Sequence, residues 1–245
     1  MTTKIFDTPN LMGTAAGNFA ANVIESAIHE FNEANIILAT GASQFQTLDT
    51  IVEAKGIDWT KVTIFHLDEY IGISENHPAS FRLYLKQRFL EKVGQVKAFH
   101  FINGNAKNPL DECERLNNLI KPLAIHVALV GIGENGHLAF NDPPADFNIE
   151  TPYIIADLDE KCRMQQVGEG WFNGLVDVPT QAISMSIKQI MKSQNIVCSV
   201  PDERKAQAVK DCVLGKISTL HPASMLQDHE NCTLYLDKAS ATLLP

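Results

Sequence analysis

Short apolar runs that end at small or glycine-containing turns, separated by ten or more residues of helical character, most constrain this chain. Ile36 to Ala39 runs into Thr40-Gly41, Val62 to Leu67 into Asp68-Glu69-Tyr70, and Ile125 to Val130 into Gly131-Ile132-Gly133. Phe99 to Ile102, Ile183 to Ile187, Ile196 to Val200 and Cys232 to Leu236 also read as strands, and Ile154-Ile155 is a shorter apolar pair. Between them the spacing predicts a helix over Met12 to Phe31, where Ala15, Phe19, Val23, Ala27 and Phe31 fall four apart. Further helices are predicted over Pro78 to Val93, over Leu110 to Ile120, and from an Asp202 cap through Val213. Ser43 offers a cap for a helix containing Phe45, Leu48, Ile51 and Val52, Pro222 starts a short one, and Gln165 to Gly174 reads as loop or frayed helix.

Strands interleaved with helices of this length pair in parallel through crossovers. The expected fold is therefore α/β: a mostly parallel, doubly wound sheet with helices on both faces. No Pro/Gly/Ser linker, charge run or internal repeat divides the sequence, so residues 1–245 are expected to form a single domain. In such sheets ligands collect beyond the carboxyl ends of the strands. The three turns named first share that rim.

Composition narrows the function classes. Twenty basic against 29 acidic residues give a net charge of −9, and no basic block interrupts the chain. That balance speaks against nucleic-acid or anionic-membrane partners. Hydrophobic residues at 45% and charged residues at 20% exclude disorder. The five cysteines are scattered without a C-x-x-C pair, which excludes a disulfide framework and a zinc knuckle. The start, MTTKIFDTPNLMG, lacks the apolar core of a signal peptide, and no run approaches the ~20 apolar residues of a membrane span. A reduced, cytoplasmic protein is expected.

Three segments carry chemistry. In ILATGASQFQTLD, a strand, a glycine turn and small hydroxyl residues opening a helix form a potential anion cradle from Thr40, Gly41, Ala42 and Ser43. Ser43 also fits a plain strand-to-helix turn as its cap, the commoner use of a serine there. In FHLDEY, Asp68 and Glu69 are neighbours on an extended chain and point to opposite sides, so one of them faces a ligand, as a candidate general base, or both form an acidic turn in solvent. The strongest segment is VGIGENGHLAFNDPPADF. Gly131, Gly133 and Gly136 allow close backbone approach, and His137 with Asp142 suits proton transfer near neutral pH. A hydrogen-bonded structural histidine fits the same pattern. A dinucleotide site is rejected, because the glycine pattern comes late in the chain and leads into a histidine.

In order and spacing these segments resemble the glucosamine-6-phosphate deaminase (isomerase) family, whose superfamily also holds 6-phosphogluconolactonases and sugar-phosphate-sensing regulators. The resemblance runs from about Ile36 to Val213 and is carried by FHLDEYIGISENHPASFRLYL, FINGNA and GIGENGHLAFNDP. It implies a cofactor-free and metal-free aldose–ketose isomerisation with loss of ammonia, from a hexosamine 6-phosphate to fructose 6-phosphate. By that resemblance Asp68 is the base moving a proton between C2 and C1, His137 opens the ring, and Asp142 is the carboxylate partner, in place of the usual Glu. Asn135 is an orienting hydrogen bonder. Thr40, Gly41, Ala42, Ser43 and Lys205 hold the phosphate, and Glu69, Gly133 and Gly136 complete the substrate-binding set.

Two departures matter. Asp142 is one methylene shorter than Glu, so its link to His137 is expected to be looser or water-mediated. The family's phosphate-contacting Arg is missing from Val167 to Phe172, and Arg163, upstream, is the candidate to substitute. The resemblance leaves a galactosamine substrate, homo-oligomer formation, a lactonase activity and a non-catalytic sugar-phosphate sensor open as alternatives. No His/Cys/carboxylate cluster has metal spacing along the sequence. Trp59, Trp171 and the phenylalanines read as packing residues, His29, His100 and His126 as structural or exposed, and His77 as part of a loop able to cover the site.

Overall fold

The order in which the strands lie side by side fixes where a ligand can sit. The computed structural model describes all of residues 1–245. Its strands are β1 (Thr2–Phe6), β2 (Ala34–Leu38), β3 (Val62–His66), β4 (Asp68–Tyr70), β5 (Ala98–His100), β6 (Val127–Val130), β7 (Tyr153–Asp157), β8 (Gln181–Met185), β9 (Ile196–Val200) and β10 (Cys232–Asp237). Seven of them form one sheet in the order β1-β10-β9-β6-β2-β3-β5, and every pair in it is parallel. From β2 the chain winds outward through β3 to β5, then returns across β2 to β6 and winds the other way. The direction therefore reverses between β2 and β6, and the crevice beyond their carboxyl ends is the place such a sheet opens for a ligand.

The helices are α1 (Pro9–Phe31), α2 (Phe45–Glu53), α3 (Phe81–Leu85), α4 (Glu91–Val93), α5 (Pro109–Ile120), α6 (Glu160–Gly168), α7 (Ile187–Met191) and α8 (Ala206–Leu214). Side chains from α1, α2 and α3 bury one face of the sheet, and those from α5, α7 and α8 bury the other. That is the doubly wound α/β class expected from the sequence.

Several elements differ from expectation, each for a local reason. The apolar series Ala15, Phe19, Val23 only flanks the buried face of α1. The stripe that packs is Gly13, Ala16, Gly17 and Ala20, continued by Ile24, and its glycines and alanines let α1 approach the sheet and α2 closely. The predicted helix from Pro78 starts instead at Phe81, capped by Ser80, and a π-turn over Lys86–Leu90 interrupts it before α4. The strand predicted to reach Ile187 stops at Met185, because Ser186 caps α7 by accepting from the Gln189 N–H. Beyond the main sheet lies a second, antiparallel one in the order β4-β8-β7, which the sequence pattern did not indicate.

Leu67 joins the two sheets. Its N–H donates to Leu38 O of the main sheet at 3.1 Å, and its carbonyl accepts from Met185 N of the small one at 3.0 Å. The next residue is Asp68. The change of sheet thus delivers that carboxyl to the rim beside the β2–β6 crevice.

Candidate active site

A cavity of about 370 Å³ fills that crevice. Thr40, Gly41, Ala42 and Ser43 line one wall, Gly131 to Gly133 with His137 another, and Asp68 faces in from the sheet junction. Lys205 enters from the turn before α8.

Asp68 is buried, yet no N–H or O–H group of the protein donates to its carboxylate. Burial, and then the neighbouring Glu69 charge, raise its pKa from 3.8 to about 8. Glu69 points the other way, into the protein. Its carboxylate accepts from Tyr70 N, Phe81 N, Arg82 N, Ser80 Oγ and Arg82 Nε, at 2.9–3.3 Å. The expected substrate-binding role of Glu69 is therefore corrected: it clamps β4 to the start of α3 and does not reach the cavity.

His137 is held from behind. Asp142 Oδ1 lies 3.0 Å from His137 Nδ1, a direct link where the shorter side chain predicted a looser one. The contact is made because Asp142 is itself fixed, by Asn135 Nδ2 on Oδ1 and Asp159 N on Oδ2, both at 3.0 Å. Burial works to raise the Asp142 pKa, but the hydrogen bonds and charge of its neighbours outweigh it and hold the carboxyl below its usual range. An ionised Asp142 can only accept, so the proton between them sits on Nδ1 and leaves the Nε2 lone pair free. The ring lies against Gly133, where a Cβ would come within 2.2 Å of Nε2, so that position admits no side chain. Asn135 also receives the His137 N–H on its Oδ1 and bridges to Asp159, which places it behind the site as an orienting group. Gly136 forms the turn beneath, donating to Gly133 O and accepting from Ala223 N, outside the cavity lining where the sequence placed it.

At the far end, Ser43 does not cap α2. Its Oγ accepts from Gln44 Nε2 at 3.2 Å, and no acceptor claims its proton. Gly41 takes φ +91° at this turn, a conformation suited to glycine. The Lys205 ammonium makes no hydrogen bond within the protein, its nearest carboxylate oxygens being 3.6 Å (Glu169) and 3.9 Å (Glu134) away. Burial draws its pKa down, with both carboxylates opposing. Arg163 does not stand in here. Its guanidinium donates to the Leu175 and Val178 carbonyls and belongs to a separate surface cleft. Arg204, Gln165, Glu169 and Phe140 line the cavity and were missed; only Arg204, beside Lys205, carried a signal. Non-glycine strain gathers here as well: Asp202 (φ +87°) and Ala139 (φ +50°) both lie on the cavity wall.

The fold also brings Cys162, from the first turn of α6, to the His137–Asp142 pair. Ligand atoms of all three lie within 4.8 Å of one another. The sequence spacing hides this cluster, because Asp142 and Cys162 lie 20 positions apart.

An imidazole backed by a carboxylate and a second, separate carboxyl with a raised pKa, opening on one cavity, are the equipment of an acid–base catalyst that moves protons on a bound substrate. The chain belongs to the glucosamine-6-phosphate isomerase/6-phosphogluconolactonase family, whose model matches residues 7–235. It is 36% identical over 232 residues to a glucosamine-6-phosphate deaminase of Clostridium acetobutylicum, covering 92% of this chain and 94% of that one. Glucosamine-6-phosphate deaminase 1 of Bacillus subtilis is 33% identical over 231 residues, with 92% and 94% covered. A solved monomeric glucosamine-6-phosphate deaminase superposes with a TM-score of 0.90 at 28% identity, covering 99% of this chain and all of that one. The 6-phosphogluconolactonase of Trypanosoma brucei shares the fold, at 17% identity and a TM-score of 0.79 over 100% and 98% of the two chains. No helix is long and apolar enough to cross a membrane.

Proposed function

We propose that the chain converts a hexosamine 6-phosphate and water to fructose 6-phosphate and ammonia. The observation that carries this reading is that Asp68 and the His137–Asp142 pair open on the same cavity as two independent proton-transfer groups. One group alone serves a hydrolysis. Deamination by isomerisation needs two, because ring opening and C2–H abstraction happen at different atoms.

Ring opening requires a proton on the ring oxygen while O1 loses one. His137 takes the O1 proton on Nε2 and passes a proton to the ring oxygen, with Asp142 stabilising the imidazolium formed in between. Asp68 then removes the C2 proton and returns it to C1, which moves the unsaturation to C2 and leaves a ketimine. Water adds to C2, the C2–N bond breaks, and ammonia leaves as the carbonyl forms. The base must be ionised to act, and the missing hydrogen-bond donors around Asp68 make it a strong one once it is. Ser43 and Lys205 supply an unclaimed hydroxyl proton and a partly desolvated cation for the phosphate, fixing the open chain against Asp68. The five free, buried cysteines support a cytoplasmic setting for this activity.

The test is ammonia and ketose formation by the purified chain from glucosamine 6-phosphate and galactosamine 6-phosphate, with 6-phosphogluconolactone hydrolysis run in parallel. Release of ammonia from neither hexosamine would reject the proposal. Hydrolysis of the lactone alone would replace it with the lactonase reading.

A further inference from the structure

Cys162 has no part in the chemistry above, yet it is buried beside the two groups that open the ring. Its neighbours make it part of a ligand set. His137 Nδ1 and Asp142 Oδ1 are 3.0 Å apart, and the Cys162 thiol completes a triangle with no edge over 4.8 Å. In a tetrahedral zinc site, with bonds of about 2.0–2.3 Å, neighbouring donor atoms stand roughly 3.3–3.6 Å apart. The longest edge of the triangle therefore needs to shorten by at most about 1.5 Å, shared between two side chains. We propose that His137, Asp142 and Cys162 form a site for a thiophilic divalent cation of the zinc class, and that filling it arrests the proposed deaminase.

The surroundings of the triangle resemble the outer shell of a metal site. Asp159 accepts the Cys162 N–H on Oδ1 at 2.6 Å, donates its own N–H to Asp142 Oδ2 at 3.0 Å, and accepts from Asn135 Nδ2, which also holds Asp142. One residue thus braces two of the three ligands directly and the third through Asn135, whose Oδ1 receives the His137 N–H. Two of the bracing residues, Asn135 and Asp159, line a neighbouring cleft with Glu134, Glu160, Asp211 and Lys161, and Glu134 also lies within 4 Å of Arg204 and Lys205.

The chemistry of loading explains the arrest. The cation replaces the thiol proton, which leaves for solvent, and forms a bond to sulfur. It also bonds Nδ1, and the proton held there moves to Nε2. The imidazole is then locked as the Nε2–H tautomer, without the lone pair that accepts the O1 proton, and Asp142 is committed to the metal. A water molecule completes four-coordination. Cys162 thereby makes the site selective: calcium and magnesium, which take oxygen ligands, are not captured by a triangle of N, O and S donors.

The experiment uses the full chain and cobalt(II) as a coloured stand-in for zinc. Titration is expected to raise a thiolate-to-cobalt charge-transfer absorption that saturates at one equivalent and is erased by zinc. Cys162→Ser loses this band, while Cys212→Ser, a buried thiol outside the cluster, keeps it. Cys162→Ala serves the same purpose where serine disturbs the packing. Zinc inhibits ammonia release in the unmodified chain, and Cys162→Ser raises the concentration for half-inhibition by at least about tenfold, since losing even an outer partner costs that much. The consequence for turnover rests on the deaminase reading, but the cobalt spectrum does not: a chain that binds cobalt through Cys162 and releases no ammonia rejects that reading and keeps the site. Absence of the charge-transfer band in the unmodified chain, or its persistence in Cys162→Ser, overturns the site itself.

Discussion

Replacing Asp68 by asparagine is expected to destroy activity and stabilise the fold, and the size of the second effect follows from the first. The Asp68 carboxyl is buried without a donor, with a pKa near 8 in place of 3.8. Between those values the native state holds a proton that the unfolded chain has released. Stability therefore falls as pH rises through this window, by about 1.4 kcal/mol for each pH unit. At pH 7 the window has been crossed for about three units, so the carboxyl costs the fold at most about 4 kcal/mol. Asparagine keeps the size and removes the titration. Urea unfolding of both proteins at a series of pH values reads the difference directly: near zero at pH 4, with Asp68→Asn ahead by up to about 4 kcal/mol at pH 7, and growing no further above about pH 8. The same carboxyl sets the acid limb of kcat/KM, which is expected to drop about tenfold per pH unit below about 8. A stability difference that is constant across pH, or a less stable Asp68→Asn at pH 7, would refute the argument that desolvation is what makes this residue a base.

Three further substitutions separate the parts of the site. Asp142→Asn faces three donors, from His137, Asn135 and Asp159, with a group that accepts on one side only. Losing about 1.5–3 kcal/mol of charged hydrogen bonding lowers kcat roughly 10- to 150-fold with KM little changed, as steady-state ammonia release will show. Lys205→Met removes the cation at the phosphate end, and the same range of energy appears as a rise in KM for the sugar phosphate. Glu69→Gln leaves the buried Arg82 guanidinium without its anion, and urea denaturation is expected to record a loss of about 3–5 kcal/mol.

The three segments at the cavity were legible in the sequence because each follows a short apolar run, and the end of a buried parallel strand is what such a run specifies; only Asp68-Glu69-Tyr70, read as a turn, is a strand, β4. The small sheet was not. β4 is three residues long, and its partner β8 lies more than a hundred residues away, so neither alternation nor a hairpin turn announces their pairing. β1 is an edge strand with mostly exposed side chains and no apolar run to mark it. In α1, period alone could not choose between two adjacent stripes. What chose the Gly/Ala stripe is the closeness of the packing, a tertiary quantity.

Side-chain direction shows the same limit at the site itself. Arg163 is the arginine the sequence offers for holding an anion, but the Leu175 and Val178 carbonyls draw it away, while Arg204, which the sequence reading does not single out, is held at the cavity by Asp202. Asp68 and Glu69 make the point most sharply. They are adjacent, chemically alike and both buried, and local sequence favours neither as the base. Five donors take Glu69, and none takes Asp68. The difference arises because Leu67 bonds to both sheets and fixes the register of β4, so the pleat turns one carboxyl to the cavity and the other to Arg82. A one-residue slip there would turn Asp68 away from the cavity and Glu69 away from Arg82, leaving that buried guanidinium without its anion. The second sheet, the part of the fold least visible in the sequence, is therefore what decides which acid is free to act as the base.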